Sequence, residues 1–318
     1  MTTPLLVVKN LQKQFLLGKR WFQHPSYVHA VNGVNLTVNE GETLGIVGES
    51  GCGKSTLGRC ILRLIEPSEG EIVFQGSDIR KYGKSDMHIV RRNMQMVFQN
   101  PFDTLNPKLT IQHILTEPLI AHHIHKEQRQ SLIEETIEIV GLSKRHLARY
   151  AHEFSGGQRQ RIGIARALML RPKLIIADEP VSALDVSIQS QILNLLQDLQ
   201  EQFSLTYLFI SHDLSVVEHI ADRVAVMYLG EVIELARKEE LFQRPLHPYA
   251  QSLLPSVPVS DPDEKKERII LTGDLPSPSN PPTGCKFHPR CWACMDICKK
   301  EAPALKEVEG RMVACHLY

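Results

Sequence analysis

The sequence has no long apolar run and no excess of either charge. No stretch approaches the ~18 consecutive apolar residues that a membrane-spanning helix needs. The 36 Lys and Arg residues balance 36 Asp and Glu residues. This balance leaves no global positive field for nucleic acid or anionic lipid, so we expect no nucleic-acid partner. Residues 1–4 are not a basic segment before an apolar core, so we expect a cytosolic chain without a secretory signal.

The composition that is present is typical of a globular protein. The 318 residues are 42% hydrophobic and 23% charged, which allows more than one domain. Residues 5–45 alternate apolar and polar positions, as antiparallel strands do, around a polar excursion at 18–26. Residues 100–170 carry helical spacing. From residue 173 to 234, short apolar runs alternate with helical patterns, which predicts a mostly parallel sheet covered on both faces.

Residues 48–56, with the sequence GESGCGKST, match the phosphate-binding pattern GxxxxGK[ST] at every fixed position. An apolar run precedes them and a helical pattern begins at Ser55, which is the context that the motif needs. Glycines let backbone amides surround a polyphosphate at a helix N-terminus. Lys54 can reach the β- and γ-phosphates, and Ser55 can bind Mg²⁺. The candidate nucleotide-binding residues are Gly48, Ser50, Gly51, Cys52, Gly53, Lys54, Ser55 and Thr56.

A second apolar run, residues 174–177, is followed by Asp178 and Glu179. Ligands bind at the carboxyl ends of strands in open α/β sheets. Asp178 suits the Mg²⁺ beside Ser55, and Glu179 suits the polarisation of an attacking water. Two acids after an apolar run are by themselves more often a solvated strand end. The phosphate-binding pattern earlier in the chain favours the functional interpretation.

The sequence Ser155-Gly156-Gly157-Gln158 predicts a second helix start that could bind an anion. One nucleotide does not need two such sites, so we expect the second to serve a nucleotide held by another subunit. Residues 155–158 also resemble the signature loop of ABC-type ATPases, and the other motifs of that family occur in order. Residues 182–185 resemble its D-loop.

Three single residues extend this resemblance. Gln99 resembles the Q-loop glutamine, which implies contact with Mg²⁺ and water, and His212 resembles the switch histidine at the γ-phosphate. Phe15 lies where the family places an aromatic ring on adenine. A core position for Phe15, or Tyr27 in its place, are the alternatives.

The resemblance implies an α/β fold with a P-loop parallel-sheet core, an antiparallel β subdomain and a helical subdomain at about 100–170, together spanning residues 1–245. It implies catalytic roles for Glu179, His212, Gln99 and Ser155, the last acting on the nucleotide of a partner ATPase. It also implies Mg²⁺ held by Ser55, Gln99 and Asp178, and ATP contacts from Ser155, Gly156, Gly157 and Gln158.

The C-terminal part narrows the resemblance. Residues 246–254 and 273–291 resemble the tail of ATPase subunits from bacterial oligopeptide and dipeptide importers, in particular the second of their two ATPase subunits. This implies ATP-driven uptake of di- or oligopeptides at the cytoplasmic face of the inner (plasma) membrane. The implied partners are a second homologous ATPase in a heterodimer, two permease subunits and an extracytoplasmic solute-binding protein. The alternative is a soluble ABC-type ATPase of DNA repair or translation.

Five of the seven cysteines lie between Cys285 and the C-terminus. In a cytosolic chain such a cluster favours a metal over disulfides. The resemblance implies a [4Fe-4S] cluster on four of them, with Zn²⁺ as the alternative because it takes the same ligand set. The implied ligands are Cys285, Cys291, Cys298 and Cys315. Cys294 is either an alternative ligand or a free thiol, and we expect His288 and His316 to be ordinary surface residues.

The cysteines complete the expected organisation, in which residues 246–318 form a C-terminal extension. Residues 255–283, rich in proline and charge, are expected to be a linker or extended arm. We expect the metal to be a structural staple for a tail with little core of its own. A metal-sensing protein, in which ATP only gates this tail, is a second alternative.

Overall fold

The fold comes from a computed structural model in which residues 4–17, 26–100, 104–254, 271 and 273–318 are described. The strands are β1 (Pro4–Leu17), β2 (Ser26–Asn39), β3 (Thr43–Val47), β4 (Glu69–Phe74), β5 (Ser77–Asp78), β6 (Met94–Val97), β7 (Leu174–Asp178), β8 (Thr206–Ile210), β9 (Arg223–Tyr228), β10 (Glu231–Arg237), β11 (Lys306–Val308) and β12 (Arg311–Val313). The helices are α1 (Lys54–Ile61), α2 (Lys84–Asn93), α3 (Ile111–Ala121), α4 (Lys126–Ile139), α5 (Gly156–Leu168), α6 (Val186–Phe203), α7 (Leu214–Ile220), α8 (Lys238–Gln243), α9 (Pro248–Leu253) and α10 (Asp296–Lys300).

The described chain forms two compact units. Residues 39–42 and 81–210 make up one, which we call the helical unit. Residues 4–38, 43–80 and 211–318 make up the other, which we call the phosphate-loop unit. None of the described helices is long and apolar enough to cross a bilayer.

The helical unit contains parallel strands in the order β8-β7-β6. Every residue of β7 and β8 is buried, as expected for apolar runs covered on both faces. Helices α3, α4 and α5 occupy the region predicted to be helical. Their apolar faces are buried through residues such as Ile114, Ile137 and Ile164. The parallel register ends with Asp178 opposite Ile210, so both strands finish at one edge.

The phosphate-loop unit contains two sets of strands. One has the order β2-β1-β4-β5, with β1 and β4 antiparallel, which agrees with the alternating pattern seen at 5–45. In the other, β3 pairs parallel with β9, β9 pairs antiparallel with β10, and β10 pairs antiparallel with β12. Strands β11 and β12 come from the C-terminal part and were not predicted. That part therefore extends a sheet of the phosphate-loop unit.

Local backbone features set the limits of two of the helices. Helix α1 starts one residue before Ser55 and ends at Ile61, and Arg63 has a left-handed φ of +50°. Helix α3 starts at Ile111, because the Thr110 side chain accepts a hydrogen bond from the backbone of the first turn. Helix α2 was not predicted. Most of the polar excursion (18–25) and most of the expected linker (255–270 and 272) lie outside the described residues.

Candidate functional site

The phosphate-binding loop connects β3 to α1 in the phosphate-loop unit. Gly48 and Gly53 have φ values of +152° and +104°, which side chains rarely allow. A Cβ at Gly53 would lie 1.9 Å from the Ala30 carbonyl oxygen. The buried Lys54 donates from Nζ to the carbonyls of Gly48 (2.7 Å) and Glu49 (3.0 Å). The loop therefore wraps around the ammonium group, and the Gly-rich motif has the expected strand, turn and helix around it.

The predicted switch histidine lies near the same loop. The backbone N–H of Ser211 donates to Ile46 of β3 at 3.1 Å, and Ile46 lies two residues before Gly48. His212, the next residue, is exposed. Asp213 caps α7 by accepting from the N–H of Ser215 at 2.9 Å. His212 thus lies between Ser211, which is hydrogen-bonded to β3, and Asp213, which caps α7. Strand β3 leads into the phosphate-binding loop.

Two predicted catalytic residues contact each other in the helical unit. The Gln99 amide donates to the Glu179 carboxylate at 2.8 Å, although 80 residues separate them. Asp178 is 1% exposed at the end of β7. Glu179 has a left-handed φ of +48°, and its N–H donates to the Ile210 carbonyl at 2.9 Å. A left-handed backbone in a non-glycine residue often occurs at functional sites.

These side chains offer donors that suit Mg²⁺. Carboxylate, hydroxyl and amide oxygens are the ligands that this hard cation prefers. Asp178 and Gln99 in the helical unit, and Ser55 in the phosphate-loop unit, carry oxygens of this kind. Within each unit, the oxygens present are therefore of the kind that Mg²⁺ prefers.

The predicted signature segment begins helix α5 as the sequence indicated. The Ser155 hydroxyl accepts from the N–H of Gln158 at 3.3 Å, and the Gln158 side chain accepts from the N–H of Ser155 at 3.1 Å. This reciprocal pair is a capping box. A Cβ at Gly157 would lie 2.5 Å from a side-chain carbon of Ile188, so glycine allows α5 to approach α6 closely. Ser155 itself is exposed and available to a ligand.

The two aromatic candidates for adenine are both exposed. Phe15 is 38% exposed, and Lys13 Nζ lies 4.9 Å from its ring centroid. Tyr27 is 41% exposed. The core alternative for Phe15 does not match this exposure, while exposure alone does not choose between Phe15 and Tyr27.

The four predicted cysteine ligands lie near one another. The N–H of Cys285 donates to the carbonyl of Cys298 at 2.8 Å. Burial raises the pKa of the Cys285 thiol to about 11, and the nearby sulfurs add to the shift. These sulfurs belong to Cys298, Cys315 and Cys291. Even so, no three His, Cys, Asp or Glu side chains in the described part of the chain are placed so that they could hold a metal.

Three residues at the phosphate-binding loop were missed by the sequence analysis. Glu49, inside the motif, is paired with Arg290 of the C-terminal part, and its N–H donates to the Tyr249 hydroxyl. Only the position of Tyr249 and Arg290 within the resembling tail segments pointed to them. Nothing in their spacing indicates a contact with a loop about 200 residues earlier in the chain.

Two family descriptions match the chain. Residues 31–182 match "ABC transporter", and residues 233–298 match "Oligopeptide/dipeptide transporter, C-terminal region". The first match contains the phosphate-binding loop, the signature segment and both acids. The second starts within β10 and reaches Cys298.

Relatives match this chain over nearly its whole length. The oligopeptide transport ATP-binding protein AppF of Bacillus subtilis is 55% identical over 99% of this chain and 97% of its own length. The dipeptide transport ATP-binding protein DppF of Escherichia coli is 50% identical over 98% of this chain and 94% of its own length.

Solved structures have the same fold. CbiO1 of Clostridium perfringens, part of the ABC transporter complex cbiONQ, matches with a TM-score of 0.66 and 27% identity, over 76% of this chain and 91% of that one. The ATP-binding cassette MJ0796, in a dimeric post-hydrolysis state bound to ADP and Pi, matches with a TM-score of 0.64 and 30% identity, over 73% of this chain and 98% of that one.

Proposed function

The chain belongs to the ATP-binding proteins of ABC transporters, and from this we propose that it is the ATPase subunit that powers import of di- or oligopeptides. One observation carries the proposal. The ABC transporter match and the oligopeptide/dipeptide C-terminal match occur in one chain that aligns over nearly its whole length with peptide-transport relatives. The DNA-repair or translation alternative has no support among these matches.

We assign each site residue a separate role in ATP hydrolysis. Lys54 and the loop amides bind the phosphates, and His212 fixes the γ-phosphate geometry. Glu179 takes a proton from the attacking water, and Gln99, 2.8 Å away, orients its carboxylate. Ser55, Gln99 and Asp178 would hold Mg²⁺, which neutralises charge that develops on the phosphate oxygens.

The exposed signature serine supports a paired ATPase. Ser155 caps an anion-binding helix N-terminus whose own chain already has one phosphate-binding loop. We infer that Ser155, with Gly156, Gly157 and Gln158, contacts the nucleotide of a second, homologous ATPase in a heterodimer. A relative of known structure is itself a dimer bound to ADP and Pi.

We also propose the remaining partners and the location, starting from the transport role that the relatives' names give. We place the chain at the cytoplasmic face of the inner (plasma) membrane as a peripheral subunit. It docks there on two permease subunits that receive peptide from an extracytoplasmic binding protein. For the domain organisation, we propose that residues 1–245 form the ATPase domain, with its helical subdomain at about 100–170. Residues 246–318 then form the extension.

We further propose that Cys285, Cys291, Cys298 and Cys315 hold a [4Fe-4S] cluster, with Zn²⁺ as the alternative. The support is the resemblance of the tail and the ligand set of four thiolates that either group takes. Binding would have to draw the thiols together, because in the described residues no three such side chains are placed around one point. Metal analysis of anaerobically purified protein separates the two. Replacing Cys285 with Ser should remove the metal, and the matched change at Cys294 should leave it. Full metal content in the Cys285 variant would contradict this ligand set.

A pull-down from detergent-solubilised native membranes tests the transport proposal. Tagged protein should recover two permease subunits and a second ATPase, identified by mass spectrometry against an untagged control. The associated binding protein can then be screened with peptides. Recovery only from the soluble fraction, with DNA- or ribosome-associated partners, would overturn the import proposal and leave the ATPase chemistry intact.

A further inference from the structure

An arginine of the C-terminal extension forms an ion pair with the phosphate-binding loop. Arg290 donates from both terminal nitrogens to the two oxygens of Glu49, at 2.9 and 3.0 Å. The side chains are only 9% and 25% exposed, so solvent screens the pair weakly. Two parallel charge-assisted hydrogen bonds fix the orientation of both groups as well as their separation.

Glu49 is the first residue after Gly48, and the loop is anchored through it on three sides. Its N–H donates to the Tyr249 hydroxyl at 2.9 Å, and its carbonyl accepts from Lys54 at 3.0 Å. Its carboxylate is held by Arg290. Two of these three anchors come from the region C-terminal to β10. The geometry of the loop thus depends on residues that the phosphate-binding motif does not contain.

Arg290 is itself held in place by a packed aromatic group. The backbone N–H of Arg290 donates to the backbone carbonyl of Phe287 at 3.0 Å. The fully buried Phe287 ring lies 5.3 Å from the ring of Tyr228 and 5.4 Å from that of Tyr249. Both contacts have the edge-to-face geometry that aromatic pairs favour. The guanidinium therefore projects from a rigid base and is not a mobile surface side chain.

From this geometry we propose that Arg290 is a positioning residue for ATP binding, through which the C-terminal extension sets the affinity of the phosphate-binding loop. The guanidinium neutralises a carboxylate that would otherwise stand unpaired in a loop that receives a polyanion. It also holds the loop in the conformation that its glycines allow. The inference rests on the assignment of residues 48–56 to the phosphates of ATP.

A double-mutant cycle on the full chain tests the proposal. The variants are Arg290→Ala, Glu49→Gln and their combination, and the measurement is the Kd for a fluorescent ATP analogue with Mg²⁺. Arg290→Ala should raise Kd about tenfold, because it leaves Glu49 charged, only 25% exposed and without its guanidinium partner. In the Glu49→Gln background the same change should raise Kd by less than about threefold, because the unpaired charge is gone. Arg290→Lys keeps the charge without the bidentate geometry and should lie between wild type and Arg290→Ala.

The matched control is Arg244→Ala. Arg244 pairs with Glu309 at 3.3 Å in the same unit, but this pair is 69% and 48% exposed. The control should leave Kd unchanged, as exposed pairs contribute little. An unchanged Kd in Arg290→Ala, or an equal loss with and without Glu49→Gln, would overturn the proposal. Lys54→Ala tests the assignment of residues 48–56 to ATP separately from the role of Arg290. If this variant also binds ATP normally, the assignment of the loop itself fails.

Discussion

His247 gives the C-terminal extension a stability that depends on pH. The side chain is 1% exposed and lies 5.7 Å, between ring centroids, from Phe287. Burial lowers its pKa to about 3, against about 6.5 in an unfolded chain. As the pH falls, His247 therefore binds a proton in the unfolded state before it does so in the folded state. The stability that the neutral ring contributes is complete above about pH 6.5 and is lost as the pH falls toward 3.

The size of the effect follows from these two pKa values. Between about pH 7.5 and about pH 5.5, linkage gives a loss of about 1.4 kcal/mol in the free energy of unfolding. Glu234, whose carboxylate accepts from the N–H of His247, has a pKa raised by burial and so acts in the opposite direction. The variant His247→Asn separates the contribution of the histidine to the pH dependence from that of Glu234. It keeps Glu234 and an acceptor for the N–H of Tyr249, which His247 Nδ1 receives at 3.0 Å.

Urea unfolding of wild type and His247→Asn at both pH values measures this contribution. The variant is expected to be less stable at each pH, because the ring packing is lost, so the quantity compared is the change with pH. We expect wild type to lose about 1.4 kcal/mol more than the variant on acidification. If the two proteins lost the same amount within about 0.5 kcal/mol, the burial argument for His247 would be refuted.

Three further outcomes are expected. Glu179→Gln should bind ATP with near wild-type Kd but hydrolyse it at least about 100-fold more slowly, because its amide cannot take a proton; wild-type turnover would exclude Glu179 as the base. Gly157→Ala should destabilise the chain by about 1–3 kcal/mol in thermal unfolding, because the methyl group overlaps α6. Gly163→Ala on the same helix, where a Cβ meets nothing within 4 Å, is the control and should be neutral or stabilising. A chain truncated after residue 245 should unfold at a lower temperature than the full chain even with ATP bound, because it leaves Glu234 without its two backbone donors.

Local patterns were enough to predict the phosphate-binding loop. The apolar run, the glycines and the helix that follow one another at 44–61 are adjacent in sequence, and the structure has them in that order. The capping pair of Ser155 and Gln158 is likewise a spacing of three residues. Such features are set by backbone preferences within a few residues, so composition and spacing reveal them.

Contacts between distant segments were not predictable in the same way. Gln99 and Glu179 were matched to motifs separately, but only the fold shows that their side chains meet. Arg290 and Glu49 are 241 residues apart, and each also looks like an ordinary surface charge. Their pairing is decided by tertiary packing, which no period or local propensity encodes.

The C-terminal extension and strand β10 stabilise each other by satisfying buried polar groups. Glu234 of β10 is 0% exposed, a position that a carboxylate tolerates only with hydrogen-bond partners. The N–H groups of Leu246 and His247 supply them at 2.9 and 2.7 Å, and β12 pairs with the same strand. A boundary drawn at residue 245 therefore separates a carboxylate from the donors that make its burial possible. The predicted boundary at residue 245 thus falls inside the phosphate-loop unit, to which the described residues on both sides of it belong.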